Sequence, residues 1–115
     1  MNITLRTDRN VAILDISGRL VMGEALYRFR NAVRDALNEN YKHILLNLEN
    51  VNYMDSSGVG ELVQCYTTIC TQGGSVKLLK ATQRVSNLLH MTKLLTVFET
   101  FNTEPEALAS FHRGH

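Results

Sequence analysis

The 115-residue sequence has no tryptophan, one proline, two cysteines and a net charge of only +1. Each scarcity closes off a class of function. Basic and acidic residues are scattered with no surplus of either, so there is no electrostatic footprint for nucleic acid or for an anionic membrane surface. The longest apolar runs, such as Val11-Ala12-Ile13-Leu14 and Ile44-Leu45-Leu46, fall far short of the ~18 residues a membrane span requires. The amino terminus, Met1-Asn2-Ile3-Thr4-Leu5-Arg6, lacks the apolar core of a signal peptide. Cys65 and Cys70 lie five apart on a predicted helix, about 140° apart around its axis, and cannot pair there. That usage fits a reducing compartment, so a soluble cytoplasmic protein is expected. His43, His90, His112 and His115 are dispersed and share no metal-ligand spacing with the cysteines, and no metal site is expected. Neither Gly-x-Ser-x-Gly nor Gly-x-x-x-x-Gly-Lys occurs, which leaves a nucleophile elbow and a P-loop unsupported.

What is present is an ordinary globular balance, 44% apolar and 20% charged, with no repeats or linkers. One domain over residues 1–115 is expected, able to bury a little over about 60% of the surface its unfolded chain exposes. Ile3 and Leu5 alternate with polar residues, and a second run from Val11 to Ile16 follows Thr7-Asp8-Arg9-Asn10, predicting a β-hairpin. In that second run Ala12, Leu14 and Ile16 share one face and Val11 and Ile13 the other, so both sides are expected to be covered. Gly18 and Gly23 punctuate a connection into a helix from about Glu24 to Glu39, with Leu26, Phe29, Val33, Ala36 and Leu37 on one stripe and Asn40 just past its end.

The nearly continuous apolar run from His43 to Leu48 predicts a central strand covered on both faces. The clearest helical pattern begins near Val59 and carries Leu62, Val63, Tyr66, Ile69 and Cys70 as its core stripe, with Gly73 as the stop. Ser75 to Lys80 predicts a parallel strand with Val76 and Leu78 on one face. A helix from about Gln83 to His90 or beyond follows, with Val85, Leu88, Leu89 and Leu94. Val97 to Phe101 reads as a short edge strand, and Thr103-Glu104-Pro105-Glu106 as a capping box opening a last helix through Leu108 and Phe111. The alternation after the hairpin gives an α/β sheet of four or five strands with helices packed on it.

Between the central strand and its following helix lies Tyr53-Met54-Asp55-Ser56-Ser57-Gly58-Val59-Gly60. Three polar side chains fall where a helix needs oxygens for its unpaired N–H groups, and two glycines follow. Two readings remain open from spacing alone. Ser56 or Ser57 is a helix cap, with Asp55 ending the loop, or a serine hydroxyl is displayed for modification at a positive helix end that favours phosphate. The outer face of the helix, Glu61, Gln64, Thr68, Thr71 and Gln72 with Cys65 on a flank, carries one charge, as a docking face would. A polar face that merely happens to lack charge fits as well.

Asn47-Leu48-Glu49-Asn50-Val51-Asn52-Tyr53-Met54 followed by Asp55-Ser56-Ser57-Gly58-Val59-Gly60 resembles the signature of bacterial STAS-domain anti-sigma-factor antagonists, whose pattern runs LNLxxVxYMDSSGLG. Ile16-Ser17-Gly18-Arg19-Leu20 and Gly73-Gly74 are further family marks. One departure is Val21, where many members carry an acidic residue. The resemblance implies the STAS fold, a mixed four- to five-stranded sheet with about four helices. It also implies that Ser56 is phosphorylated by a partner kinase. With Ser56 unmodified, the chain would bind an anti-sigma factor that is itself a serine kinase, and the sigma factor would be freed for transcription. A PP2C-type phosphatase would reverse the modification. ATP and Mg²⁺ would belong to the kinase, and the chain itself would need no cofactor.

Within that resemblance, Asp55 would steer the kinase or order the turn, Ser57 would cap the helix, Gly58 and Gly60 would allow close approach, and Glu61, Gln64 and Thr68 would lie under the partner. The chain is expected to be a monomer or weak homodimer. No histidine is predicted beside Ser56 to activate it, so enzymatic use of that serine is not expected. Competing readings are a scaffold subunit of a stress-sensing complex and a ligand-binding or transporter-associated STAS module. The intact Asp-Ser-Ser-Gly pattern and the free-standing length weigh against the second.

Overall fold

The computed structural model describes residues 1–93 and 97–112; Leu94 and His115, named above, lie outside them. The chain forms β1 (Asn2–Asp8), β2 (Val11–Leu20), α1 (Glu24–Asn38), β3 (His43–Met54), α2 (Ser56–Thr71), β4 (Ser75–Leu79), α3 (Gln83–Met91), β5 (Thr100–Phe101) and α4 (Glu104–His112). The five strands make one sheet in the order β1-β2-β3-β4-β5. β1 is antiparallel to β2, and all later pairs are parallel, so the sheet is mixed and β3 is central. The strand and helix count is the one the resemblance implies.

The two-sided reading of β2 holds. Ala12, Leu14 and Ile16 join Ile44, Leu46, Val76 and Leu78 in a core beneath α1, α2 and α3, into which Phe29, Leu62, Ile69, Val85 and Leu89 are sunk. On the other face Val11, Ile13, Leu45 and Leu79 pack against Ala107, Leu108 and Phe111 of α4. Thr103 caps α4 by accepting the Glu106 N–H at 3.3 Å and donates to the Glu106 carboxylate at 2.9 Å. Asn40 and Gly73, with φ of 72° and 82°, occupy the left-handed positions that end α1 and α2.

Three boundaries differ from those the sequence predicts. β3 continues six residues past Leu48 to Met54. The apolar signal fades there because the second face of β3 runs out from under α4: Leu45 is covered, Asn47 half-buried and Glu49 exposed, while Val51 and Met54 still face the helical layer. Gly18, expected in a connection, lies inside β2 at a register irregularity, with φ of 101° and the Met1 backbone 3.0 Å from where a Cβ would be. β5 is only Thr100–Phe101 because Phe98 turns inward to meet the Tyr66 ring edge-on at 5.5 Å between centroids, although Glu99 O still accepts the Leu78 N–H at 2.9 Å.

One polar cluster ties four elements together. Arg6 of β1 bonds both carboxylate oxygens of Asp15 and, at 2.8 Å, Glu104 at the start of α4, while Asn47 Nδ2 donates to Asp15 Oδ1 at 2.7 Å. The hydrogen bond from Arg6 holds the Asp15 carboxyl below its ordinary range, against the opposing effect of burial. A depressed native pKa adds stability that is present above the unfolded value, about 3.9, and is lost as pH falls through the lower native one. Asp15→Asn should therefore flatten the acid limb of a urea-midpoint profile below about pH 4. An unchanged acid limb would show that the cluster contributes nothing to it.

Candidate functional site

The corner after β3 is built around Asp55. Its backbone is extended, with φ −102° and ψ −176°, and its Oδ1 accepts the Gly58 N–H at 3.0 Å. Its Oδ2 accepts the Met22 N–H at 3.4 Å, from the loop between β2 and α1. Asp55, and neither serine, is the cap of α2. Ser57, expected to cap, is the second helical residue, half-buried and with no side-chain hydrogen bond among the described residues. The helix starts three residues before Val59 because the cap decides the start, whereas Ser and Gly in the first turn hide the apolar periodicity.

Freed from capping, Ser56 is exposed at the first helical position, and no hydrogen bond of its hydroxyl occurs among the described residues. The N–H groups of Ser56 and Ser57 have no intrahelical partner, so the positive end of a 16-residue helix surrounds that hydroxyl. The site also lies beyond the carboxyl end of the central parallel strand, where open α/β sheets place their binding sites. Among the described residues no group of His, Cys, Asp and Glu could hold a metal, and no helix is long and apolar enough to cross a membrane.

The two glycines differ. A Cβ on Gly58 would sit 2.5 Å from Leu20 O and 2.6 Å from Met54 Cγ, so the approach it permits is that of its own chain. Gly60 is exposed, with open space where a Cβ would go.

The face of α2 expected to point outward is rotated. Cys65 is buried and Cys70 exposed, the reverse of the sequence reading, and burial pushes the Cys65 thiol up to about 12. Glu61 is only 7% exposed and takes two bonds from Arg30 of α1, at 2.7 and 3.2 Å, and this pairing raises the Arg30 pKa. Glu61, Gln64, Cys65, Thr68 and Gln72 form one wall of a groove of about 510 Å³, and Phe29, Arg30, Val33, Arg34 and Leu37 form the other. Packing against α1 thus accounts for much of the shortage of charge. Gln64 remains exposed, and Ser57, Gly60, Gln64 and Thr68 recur at three and four along the helix, rising from the corner as one stripe.

Sequence reasoning missed two neighbours. The Tyr53 ring, 36% exposed, carries the guanidinium of Arg19 at 5.0 Å and that of Arg84 at 5.3 Å from its centroid. Arg19 is the register partner of Tyr53 across β2 and β3, and Arg84 comes from the first turn of α3. Neither pairing is readable before the register is known.

Gly58→Ala should destabilise the fold by about 1–3 kcal/mol, because backbone and Met54 must move to admit the methyl. Gly60→Ala should be neutral or stabilise by up to about 1 kcal/mol, since alanine is the better helix former and nothing opposes it. Urea unfolding of both variants checks this, and equal midpoints for the two would contradict the difference in packing.

Residues 2–107 match the family model described as the STAS domain. The anti-sigma F factor antagonist of Paenibacillus polymyxa is 29% identical over 118 residues, which covers 94% of this chain and 92% of that one. A Thermotoga maritima protein crystallised as a candidate anti-sigma factor antagonist aligns with a TM-score of 0.89 at 28% identity, over 96% of this chain and 95% of that one. The fold alone is shared with the Bacillus anti-sigma factor antagonist SpoIIAA, at 22% identity. Its unphosphorylated form gives a TM-score of 0.83 over 99% of both chains, and its phosphorylated form 0.74 over 95% of this chain and 98% of that one. With the family model spanning nearly its whole length, the chain belongs to the STAS domain family, alongside proteins named anti-sigma factor antagonists.

Proposed function

We propose that the chain is an anti-sigma factor antagonist whose Ser56 is the phosphoacceptor of a partner-switching cycle. The observation that carries this reading is the division of labour at the corner: Asp55 caps α2, which leaves the Ser56 hydroxyl exposed and unbonded at the positive helix end. Unmodified, the chain binds an anti-sigma factor that is itself a serine kinase, and the sigma factor is released to direct transcription. The kinase supplies ATP and Mg²⁺ and phosphorylates Ser56, and a PP2C-type phosphatase removes the phosphate. The chain is a substrate here and not an enzyme. No base sits in hydrogen-bond contact with Ser56 among the described residues, as nucleophilic use of a serine requires.

The docking surface in this reading centres on Ser56 and runs up the stripe of Ser57, Gly60, Gln64 and Thr68. Asp55 and Gly58 fix the shape of the corner from within. Glu61 acts indirectly, by holding α1 against α2 through Arg30. A phosphate adds about −1.5 to −2 charge at pH 7. It meets outward N–H groups and breaks no existing side-chain bond of Ser56, so the fold persists and the interface changes. SpoIIAA, whose fold this chain shares, exists in both unphosphorylated and phosphorylated forms, in keeping with that expectation.

Ser56→Ala should leave affinity for the anti-sigma kinase within about twofold of wild type, because no partner of the hydroxyl is lost. Ser56→Asp should weaken it by at least about tenfold, equivalent to about 1.4 kcal/mol. Titration calorimetry of both variants reads this directly, and wild-type affinity in the Asp variant would count against a charge switch.

A further inference from the structure

Of the arginines, Arg6 and Arg30 are paired with carboxylates and Arg28 donates to Met1 O at 2.7 Å. Arg19 and Arg84 form no ion pair among the described residues, yet both rest over the same exposed ring, that of Tyr53. Two like charges are thus held against one ring, neither of them in an ion pair among the described residues. We propose that Arg19, Tyr53 and Arg84 form an anchor for an acidic patch on the anti-sigma kinase that docks at Ser56. This rests on the reading of the chain as an antagonist and specifies the charge its partner must present.

Three observations carry it. The first is position. Tyr53 precedes Ser56 by three residues, so their Cα atoms are at most about 11 Å apart. Met22, 74% exposed, is tied to the same corner by its N–H on Asp55. Met22 and Ser56 therefore share one corner, and the Tyr53 Cα lies within that distance of it.

The second is chemistry. Tyr, Arg and Met are the residue types enriched where interfaces bury their core, and Tyr and Arg dominate the strongest contacts. A guanidinium resting over a ring keeps its edge N–H groups free for bidentate bonds to a carboxylate. Because the ring already restrains the two side chains, less freedom is lost when they are engaged.

The third is charge. Asp55, the acidic residue of the corner itself, spends its carboxylate on the Gly58 and Met22 N–H groups. The Lys80 ammonium beyond the end of β4 is matched by Glu49 at 3.6 Å. The two guanidinium groups over Tyr53 form no ion pair among the described residues, and complementarity calls for acid on the partner where it meets them. Such an anchor acts chiefly on the rate of encounter and on partner choice, and its contribution is screened by salt.

The test measures binding of the purified anti-sigma kinase of the same organism to the full chain at 50 and 300 mM NaCl. The variants are Arg19→Gln with Arg84→Gln, the corresponding double Glu variant, and Tyr53→Phe, each first shown to keep the wild-type urea midpoint. The expected result is a tenfold or greater loss of affinity at low salt for the double Gln variant, a larger loss for double Glu, and a shallower salt dependence in both. Tyr53→Phe keeps the ring and should bind within twofold of wild type. Arg84→Gln alone, on an exposed first turn, serves if the double variants do not fold, and should lose several-fold. Wild-type affinity and salt dependence in the arginine variants overturn the anchor while the antagonist reading stands. A wild-type chain that binds no such kinase overturns both. Arginine variants that instead lose affinity for single-stranded RNA of arbitrary sequence, with kinase binding intact, assign the pair to a nucleic acid and overturn the anchor.

Discussion

A single carboxylate sets the geometry on which the rest of the corner depends. Asp55 bridges the Gly58 N–H of α2 and the Met22 N–H ahead of α1, so the start of one helix and the approach to another are fixed by the same side chain. The bridge is possible only because Gly58 has no Cβ: Leu20 O and Met54 Cγ occupy the space where one would be. The ends of β2 and β3 and the first turn of α2 therefore meet at van der Waals distance. Without that contact the helix could not begin where it does, and Ser56 would not be its first residue.

This explains why the serine is available. A helix N-terminus ordinarily recruits the nearest hydroxyl to satisfy its free N–H groups. Here the acid one position earlier takes that role, and the hydroxyl that follows is left exposed against a positive dipole end. In the proposed cycle the added phosphate enters an environment already shaped for an anion, while the core under it, anchored by Leu62, Val59 and Met54, does not need to move. The switch is then a change of surface charge and not of fold.

Much of this was legible in the sequence. The hairpin, the two-faced β2, the central β3 and the stripe of α1 follow from periodicity, because each is covered by a layer that demands apolar residues at fixed spacing. The end of β3 was hidden, since beyond Leu48 only one face stays covered and the polar residues of the other face imitate a loop. The facing of α2 was misread for a related reason. Cys65 and Cys70 offer the same residue type to either face, and Glu61, of a type seldom buried unless paired, is buried because Arg30 reaches it from α1, a pairing that sequence spacing does not reveal. The capping residue is ambiguous in the sequence because Asp, Ser and Ser in succession are all acceptable caps, and the extended backbone of Asp55 together with the Gly58 N–H bond to its Oδ1 distinguishes it. Arg19 and Arg84 escaped notice because they converge on Tyr53 across strand register and from a separate helix.

The most direct measurement is intact-mass and peptide mapping of the chain after incubation with ATP, Mg²⁺ and the anti-sigma kinase of the same organism. A single phosphate, located on Ser56, is the expected result. A phosphate on Ser57, or no modification in a mixture where the two proteins demonstrably bind, would contradict the claim that Asp55 caps the helix in order to leave Ser56 as the phosphoacceptor.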